Sequence, residues 1–255
     1  MEEQHFDRTP VYQAPVPDRP DIAEVKDQYG NNGYRTSKLT YLSLFVLIIL
    51  YPAQGYIGGD PTEILKNLDN TLRMIVYLST MLLQWTVFLL LILSTHREKT
   101  GLRGLGLKKI RVVDFFWGGA LLLSLFLVSS GIAKLLEILN YPVSGEVGLL
   151  LPQTLPGKIT WVFLAFTAGF CEETAFRGYV ITRLRLTGKL RSWLIPVLVS
   201  SLAFGASHGY QGPPNMIMLS ILGVMFGLVY IRTKSIWPCI IAHFFLDFIA
   251  LFSPQ

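Results

Sequence analysis

The run Cys171-Glu172-Glu173-Thr174-Ala175-Phe176-Arg177 lies inside an apolar block, Trp161 to Tyr179, that otherwise has the character of a membrane-spanning helix. Each ionisable group at mid-bilayer costs roughly 2.5–3.5 kcal/mol on insertion scales. A chain that keeps Glu172, Glu173 and Arg177 there must turn them toward protein or water and give them partners. The partners have to come from elsewhere in the sequence.

The surrounding chain is that of a polytopic membrane protein. Of its 255 residues 51% are hydrophobic and only 15% are charged, outside the usual balance of a soluble domain, and the apolar residues are gathered into long blocks. The two cysteines, Cys171 and Cys239, both fall in apolar blocks, which argues against a disulfide framework and a cysteine-rich zinc site. The net charge of +5 does not point to nucleic acid, because the basic residues sit in short loops between apolar blocks.

Residues 1–38 are polar and rich in proline, with no early apolar core of a signal peptide, and read as a disordered tail. The spans that follow are expected at about 39–55, 72–93, 112–139, 159–181, 193–208, 215–230 and 236–252. The architecture is therefore an all-α transmembrane bundle of seven spans. An eighth helix stays open, either from a split of the long third block or from residues 62–70. Gly223 and Gly227 have the spacing that lets membrane helices approach closely. Basic residues cluster at 97–111, at Arg183, Arg185, Lys189 and Arg191, and at Arg232 and Lys234. With a cytoplasmic N-terminus, seven spans put all three clusters on the cytoplasmic side. The chain reads as a multi-pass protein of the plasma membrane, with residues 39–158 forming N-terminal helices and 159–252 a second group that carries the polar motifs.

Few other ionisable side chains lie within the apolar blocks. His208 ends the fifth; His243 and Asp247 lie in the seventh, one helical turn apart on the same face. Glu173 and Arg177 have the same spacing, with the acid first, the better order for an ion pair. That leaves Glu172, about 100° round the helix, without a local counter-charge. A desolvated carboxylate beside a histidine can take a proton from water, which then attacks a carbonyl, and a second histidine can donate to the oxyanion. Glu172, His208, His243 and Asp247 are suitable parts for hydrolysing an amide within the membrane. At ~1.5 Å per residue, Glu172 lies roughly 16 Å and His243 roughly 10–12 Å from the cytoplasmic ends of their spans; His208 comes out deeper, at roughly 22–25 Å.

In order, Glu172-Glu173-x-x-x-Arg177, Phe204-x-x-x-His208 and His243-x-x-x-Asp247 resemble the three motifs of the CAAX-protease and bacteriocin-processing enzyme family, also called Abi proteins or glutamic intramembrane endopeptidases. The resemblance covers about residues 159–252. It implies a catalytic core made of the last four spans, with Glu172 and His208 activating a water, His243 and residue 247 aiding the oxyanion, and Glu173 and Arg177 in support. It implies no cofactor and no metal, a membrane-associated protein or peptide as substrate, and the lipid bilayer as medium. One position departs from the family: Asn often stands at 247 in prenyl-protein proteases. An ionised Asp247 can only accept hydrogen bonds, so it is either protonated or orients His243. Three rival readings stand beside this one: a non-catalytic scaffold or immunity protein that keeps the polar cluster as glue, a proton-coupled transporter, and a peptidase that uses a divalent metal such as zinc, although no His-Glu-x-x-His helix is present.

Overall fold

The structure is a computed structural model that describes residues 35–56, 67–143 and 146–252. It is all-helical, with no strand among the described residues. Among the described residues seven rods appear: α1 (Lys38–Gln54), α2 (Asn70–Arg97), α3 (Val112–Ile138), α4 (Leu155–Glu173, continued by Thr174–Ile181 and Thr182–Thr187), α5 (Leu194–Ala206), α6 (Gly212–Thr233) and α7 (Trp237–Ala250). The third block is one unbroken helix. Most of the expected tail and of the 62–70 segment lies outside the described residues.

Local chemistry starts these rods where polar residues meet apolar runs. Ser37 and Thr40 form a reciprocal cap on α1, with Thr40 N donating to Ser37 Oγ at 3.2 Å and Ser37 N to Thr40 Oγ1 at 3.0 Å. Asp69 caps α2 through the Leu72 amide (2.7 Å), and Thr154 caps α4 through the Gly157 amide (3.3 Å). Each cap satisfies an amide that the first helical turn leaves unpaired.

Among the described residues three units are long and apolar enough to cross a bilayer: α2, α3, and α6 together with the turn at 209–211. α1, α5 and α7 are shorter apolar helices. Large side chains such as Leu82, Leu89, Phe116, Leu127 and Leu202 remain exposed along the rods. In water that much open apolar surface would be a liability; in lipid it is the solvent-facing side.

α4 lies at the centre of the bundle. Its Ile181 joins a core with Leu125 of α3, Val197 of α5, Phe226 of α6 and Ile240 of α7. Its Phe176 and Tyr179 join a second core with Leu47 of α1, Leu91 of α2 and Phe204 of α5. Close backbone approach needs glycine at the crossings. A Cβ on Gly223 would sit 3.1 Å from the Ser201 Cβ, and one on Gly227 would sit 2.9 Å from a Val197 methyl. The Gly223/Gly227 spacing therefore seats α6 on α5.

Two sequence expectations are revised. The fourth rod does not end near 181 but runs to Thr187, so Arg183 and Arg185 are buried helix residues rather than loop charges. The fifth ends at Ala206, which places His208 in the turn beyond it. The first change bears on depth. Glu172 is 15 residues from the end of α4 and His208 is 14 from the start of α5, roughly 22 Å and 21 Å at the helical rise. The longer fourth rod brings Glu172 level with His208 by this measure, whereas His243, six residues from the start of α7, stays at roughly 9 Å.

The three basic clusters meet at one end of the bundle. Arg185 and Lys234 lie on the Trp193 ring, 3.8 Å and 4.1 Å from its centroid. The Trp237 indole donates to Lys108 O at 2.6 Å, and Ile236 N to Gly106 O at 3.4 Å.

Candidate active site

The acidic run falls where α4 changes its winding. After Glu173 the helix widens into a π-helical stretch, Thr174–Ile181. π-turns are uncommon and concentrate at functional sites. Hydroxyls serve the carbonyls around it: Thr174 Oγ1 donates to Phe170 O at 2.8 Å, Thr182 Oγ1 to Gly178 O at 2.6 Å, and Ser200 Oγ of α5 to Phe176 O at 2.6 Å.

Glu173 and Arg177 are fully buried and paired, Arg177 Nη1 to Glu173 Oε1 at 3.1 Å. The guanidinium lies 4.2 Å from the Phe204 ring centroid and 4.8 Å from that of Phe226, so an aromatic pocket holds what the ion pair neutralises. The same Oε1 also meets His243 Nδ1 of α7 at 2.8 Å. Glu173 is therefore more than a partner for Arg177: it ties α4 to α7. On the other side of that ring, His243 Nε2 lies 3.6 Å from Asp247 Oδ2, within ion-pair range but longer than a hydrogen bond.

His208 is fixed by its backbone, with Nδ1 2.9 Å from Phe204 O. A carbonyl only accepts, so Nδ1 carries the hydrogen and Nε2 of the neutral ring keeps its lone pair. The His208 and His243 rings both pack against Phe204, at centroid distances of 5.0 Å and 6.2 Å. The α5 turn and α7 thus present their histidines to the same spot above Arg177. Glu172 lies beside this group, within electrostatic reach of His243, Glu173 and Arg177.

Exposure separates the group into two tiers. Glu172, His208 and Asp247 are half-buried, whereas Glu173, Arg177 and His243 are buried. The half-buried groups are the ones open to water and substrate, Glu173 and Arg177 lie beneath them, and His243, with its side chain 9% exposed, stands between the two tiers.

Two contributors were not visible in the sequence. Gln84 of α2 donates from Nε2 to Glu172 Oε1 at 2.7 Å. Its signal was present, a lone carboxamide in the middle of an apolar span, but nothing in the chain says which helix it faces. Tyr210 lies on the turn after His208, its ring centroid 6.1 Å from that of the imidazole. Cys171 is buried and lines a small cavity with Glu172. Ser201 and Ser207 donate to backbone carbonyls of their own helix.

Comparison with known proteins finds relatives of one kind. Residues 154–249 match the family model of type II CAAX prenyl endopeptidase Rce1-like proteins. YdiL of Bacillus subtilis (strain 168), described as a candidate membrane peptidase, is 28% identical over 220 residues, covering 82% of this chain and 84% of YdiL. No solved structure matches the chain significantly. Over residues 154–249 the chain is similar to the CAAX-protease and bacteriocin-processing enzyme family. It is a membrane peptidase.

Proposed function

We propose that this protein is an intramembrane endopeptidase that hydrolyses a peptide bond of a membrane-associated protein or peptide with a water activated by Glu172 and His208. The observation that supports this reading is the cluster itself: a half-buried carboxylate, Glu172, and a half-buried, acceptor-bearing imidazole, His208, each within electrostatic reach of the buried Arg177 and His243, which Glu173 ties together.

In this scheme Glu172 takes one proton as the water oxygen bonds to the scissile carbonyl carbon, with His208 Nε2 accepting a hydrogen bond from the O–H that remains. The negative charge moves to the carbonyl oxygen. When the tetrahedral intermediate collapses, the C–N bond breaks and Glu172 returns its proton to the leaving nitrogen. His243 can donate to the oxyanion only from Nε2, because Nδ1 faces Glu173. It must then carry both hydrogens, and the flanking Glu173 and Asp247 carboxylates balance its charge. Asp247 acts through His243 rather than as an oxyanion donor. No step requires a metal, and chelation is expected to leave turnover unchanged.

In this reading the protein is a multi-pass protein of the plasma membrane with a cytoplasmic N-terminus, and the meeting of the three basic clusters at one end of the bundle supports that orientation. The substrate is found by comparing membranes that express wild type or Glu172→Gln. New peptide termini under wild type, and an intact precursor captured by Glu172→Gln, support the proposal. Termini at a lipidated C-terminal cysteine would make the substrate prenylated. The His208→Ala and His243→Ala variants should fold and lose cleavage of that precursor. If all three variants cleave like wild type, the assignment is wrong.

A further inference from the structure

The matched family segment begins at residue 154, yet the hydrogen bond that Glu172 accepts comes from Gln84, 88 residues earlier in the chain. Gln84 is 4% exposed in the middle of α2. Because a carboxylate oxygen only accepts, the amide nitrogen must face Glu172. The next residue, Trp85, donates from Nε1 to Thr167 Oγ1 of α4 at 3.3 Å. Two consecutive α2 side chains therefore set the register of α2 against α4. Beside the Glu172 contact lies a cavity of about 10 Å³, room for roughly one water. Tyr51 and Leu47 of α1, Cys171 and Gln84 contribute to its walls.

We infer that Gln84 is a positioning residue for Glu172, so that the reaction centre draws on α1 and α2 as well as on the last four helices. This inference rests on the glutamate-activated water described above. A carboxylate on a helix has free torsions, and one short hydrogen bond to Oε1 fixes its plane. Oε1 is then engaged, and Oε2 is the oxygen left to accept a proton. Without Gln84 the carboxylate keeps its charge and its place in the chain but loses its direction. That loss appears in the chemical step rather than in substrate binding.

The test uses the full chain in proteoliposomes with a peptide spanning the junction found by terminus mapping. Gln84→Met keeps the side-chain length and removes the donor. It should lower kcat about 10–100-fold, the range a hydrogen bond to a charged group commands, with KM within about twofold and an unchanged melting profile. Gln84→Ala leaves a small void; acetamide, which carries an N–H donor, should restore part of kcat, whereas acetone, of similar size without a donor, should not. Should Gln84→Met fail to fold, the Gln84→Ala comparison decides alone. A kcat for Gln84→Met within about twofold of wild type, or rescue by acetone equal to that by acetamide, overturns the inference. The Glu172→Gln variant separates the two levels. If it is inactive while Gln84→Met is unimpaired, only the role of Gln84 falls. If it turns over like wild type, the glutamate reading falls and the inference falls with it.

Discussion

Glu173 carries two obligations on one oxygen, to Arg177 at 3.1 Å and to His243 at 2.8 Å. Both partners are buried, so the carboxylate cannot be exchanged for solvent when it is removed. Breaking a buried pair by deleting one partner costs about 3–5 kcal/mol, because the remaining charge stays desolvated. Glu173→Gln is therefore expected to lose stability of that order, measured as a shift in denaturant or thermal midpoint in detergent, and to lose activity as His243 is released. Glu172→Gln is expected to lose activity with little change in midpoint, since its hydrogen-bond partner is a neutral amide that can re-pair with another amide. A midpoint unchanged in Glu173→Gln would mean that the pair is not the support described here. The two adjacent glutamates would then differ in neither role nor cost.

At the scale of elements, the short fifth helix matters most, because it ends where His208 must stand. α5 keeps its place by lying tightly on α6, with Ser201 and Val197 over Gly223 and Gly227. Gly223→Leu would drive those backbones apart, at a cost of about 1–3 kcal/mol for an overpacked contact, and would carry Phe204 and His208 away from Arg177. The expected outcome is a folded protein with reduced kcat; a wild-type kcat would show that α5 is not the rigid bracket for His208. How much of this was legible follows from sequence distance. The pairs Glu173–Arg177 and His243–Asp247 are four residues apart, and helical geometry alone brings them together. The bonds Gln84–Glu172, Glu173–His243 and Glu98–Arg183 join residues 88, 70 and 85 positions apart. No local periodicity reveals those. The π-helical turn in α4 was equally hidden, because apolar residues on all faces leave no stripe from which to read a change of winding.

Across the whole molecule, a second buried polar network lies toward the basic end. Arg183 Nη2 and Nε meet Glu98 Oε2 at 2.5 Å and 3.1 Å, and Arg183 also donates to Gly104 O and Thr100 Oγ1. Thr40 of α1 donates to Glu98 Oε1 at 2.7 Å, and the Tyr179 hydroxyl of α4 lies 3.2 Å from the same oxygen. One carboxylate thus ties α1, α2, the loop after α2 and α4 together. Charge counting along the chain assigned Arg183 to a solvated loop, since it takes no account of a helix that continues past its apolar stretch. Arg183→Leu or Glu98→Gln alone should each destabilise strongly, while the double variant should lose clearly less than their sum. Additive losses in unfolding midpoints would contradict a direct pair. This network and the candidate site share α4, so the N-terminal helices are tied by hydrogen bonds to the rod that carries the acidic run.

The central claim is that Glu172 is the base that activates water, and the most direct measurement is single-turnover cleavage by purified Glu172→Gln protein. The account predicts a loss of at least about 100-fold, the scale of general-base catalysis, with the fold and substrate capture retained. Cleavage by that variant at the wild-type rate would contradict it.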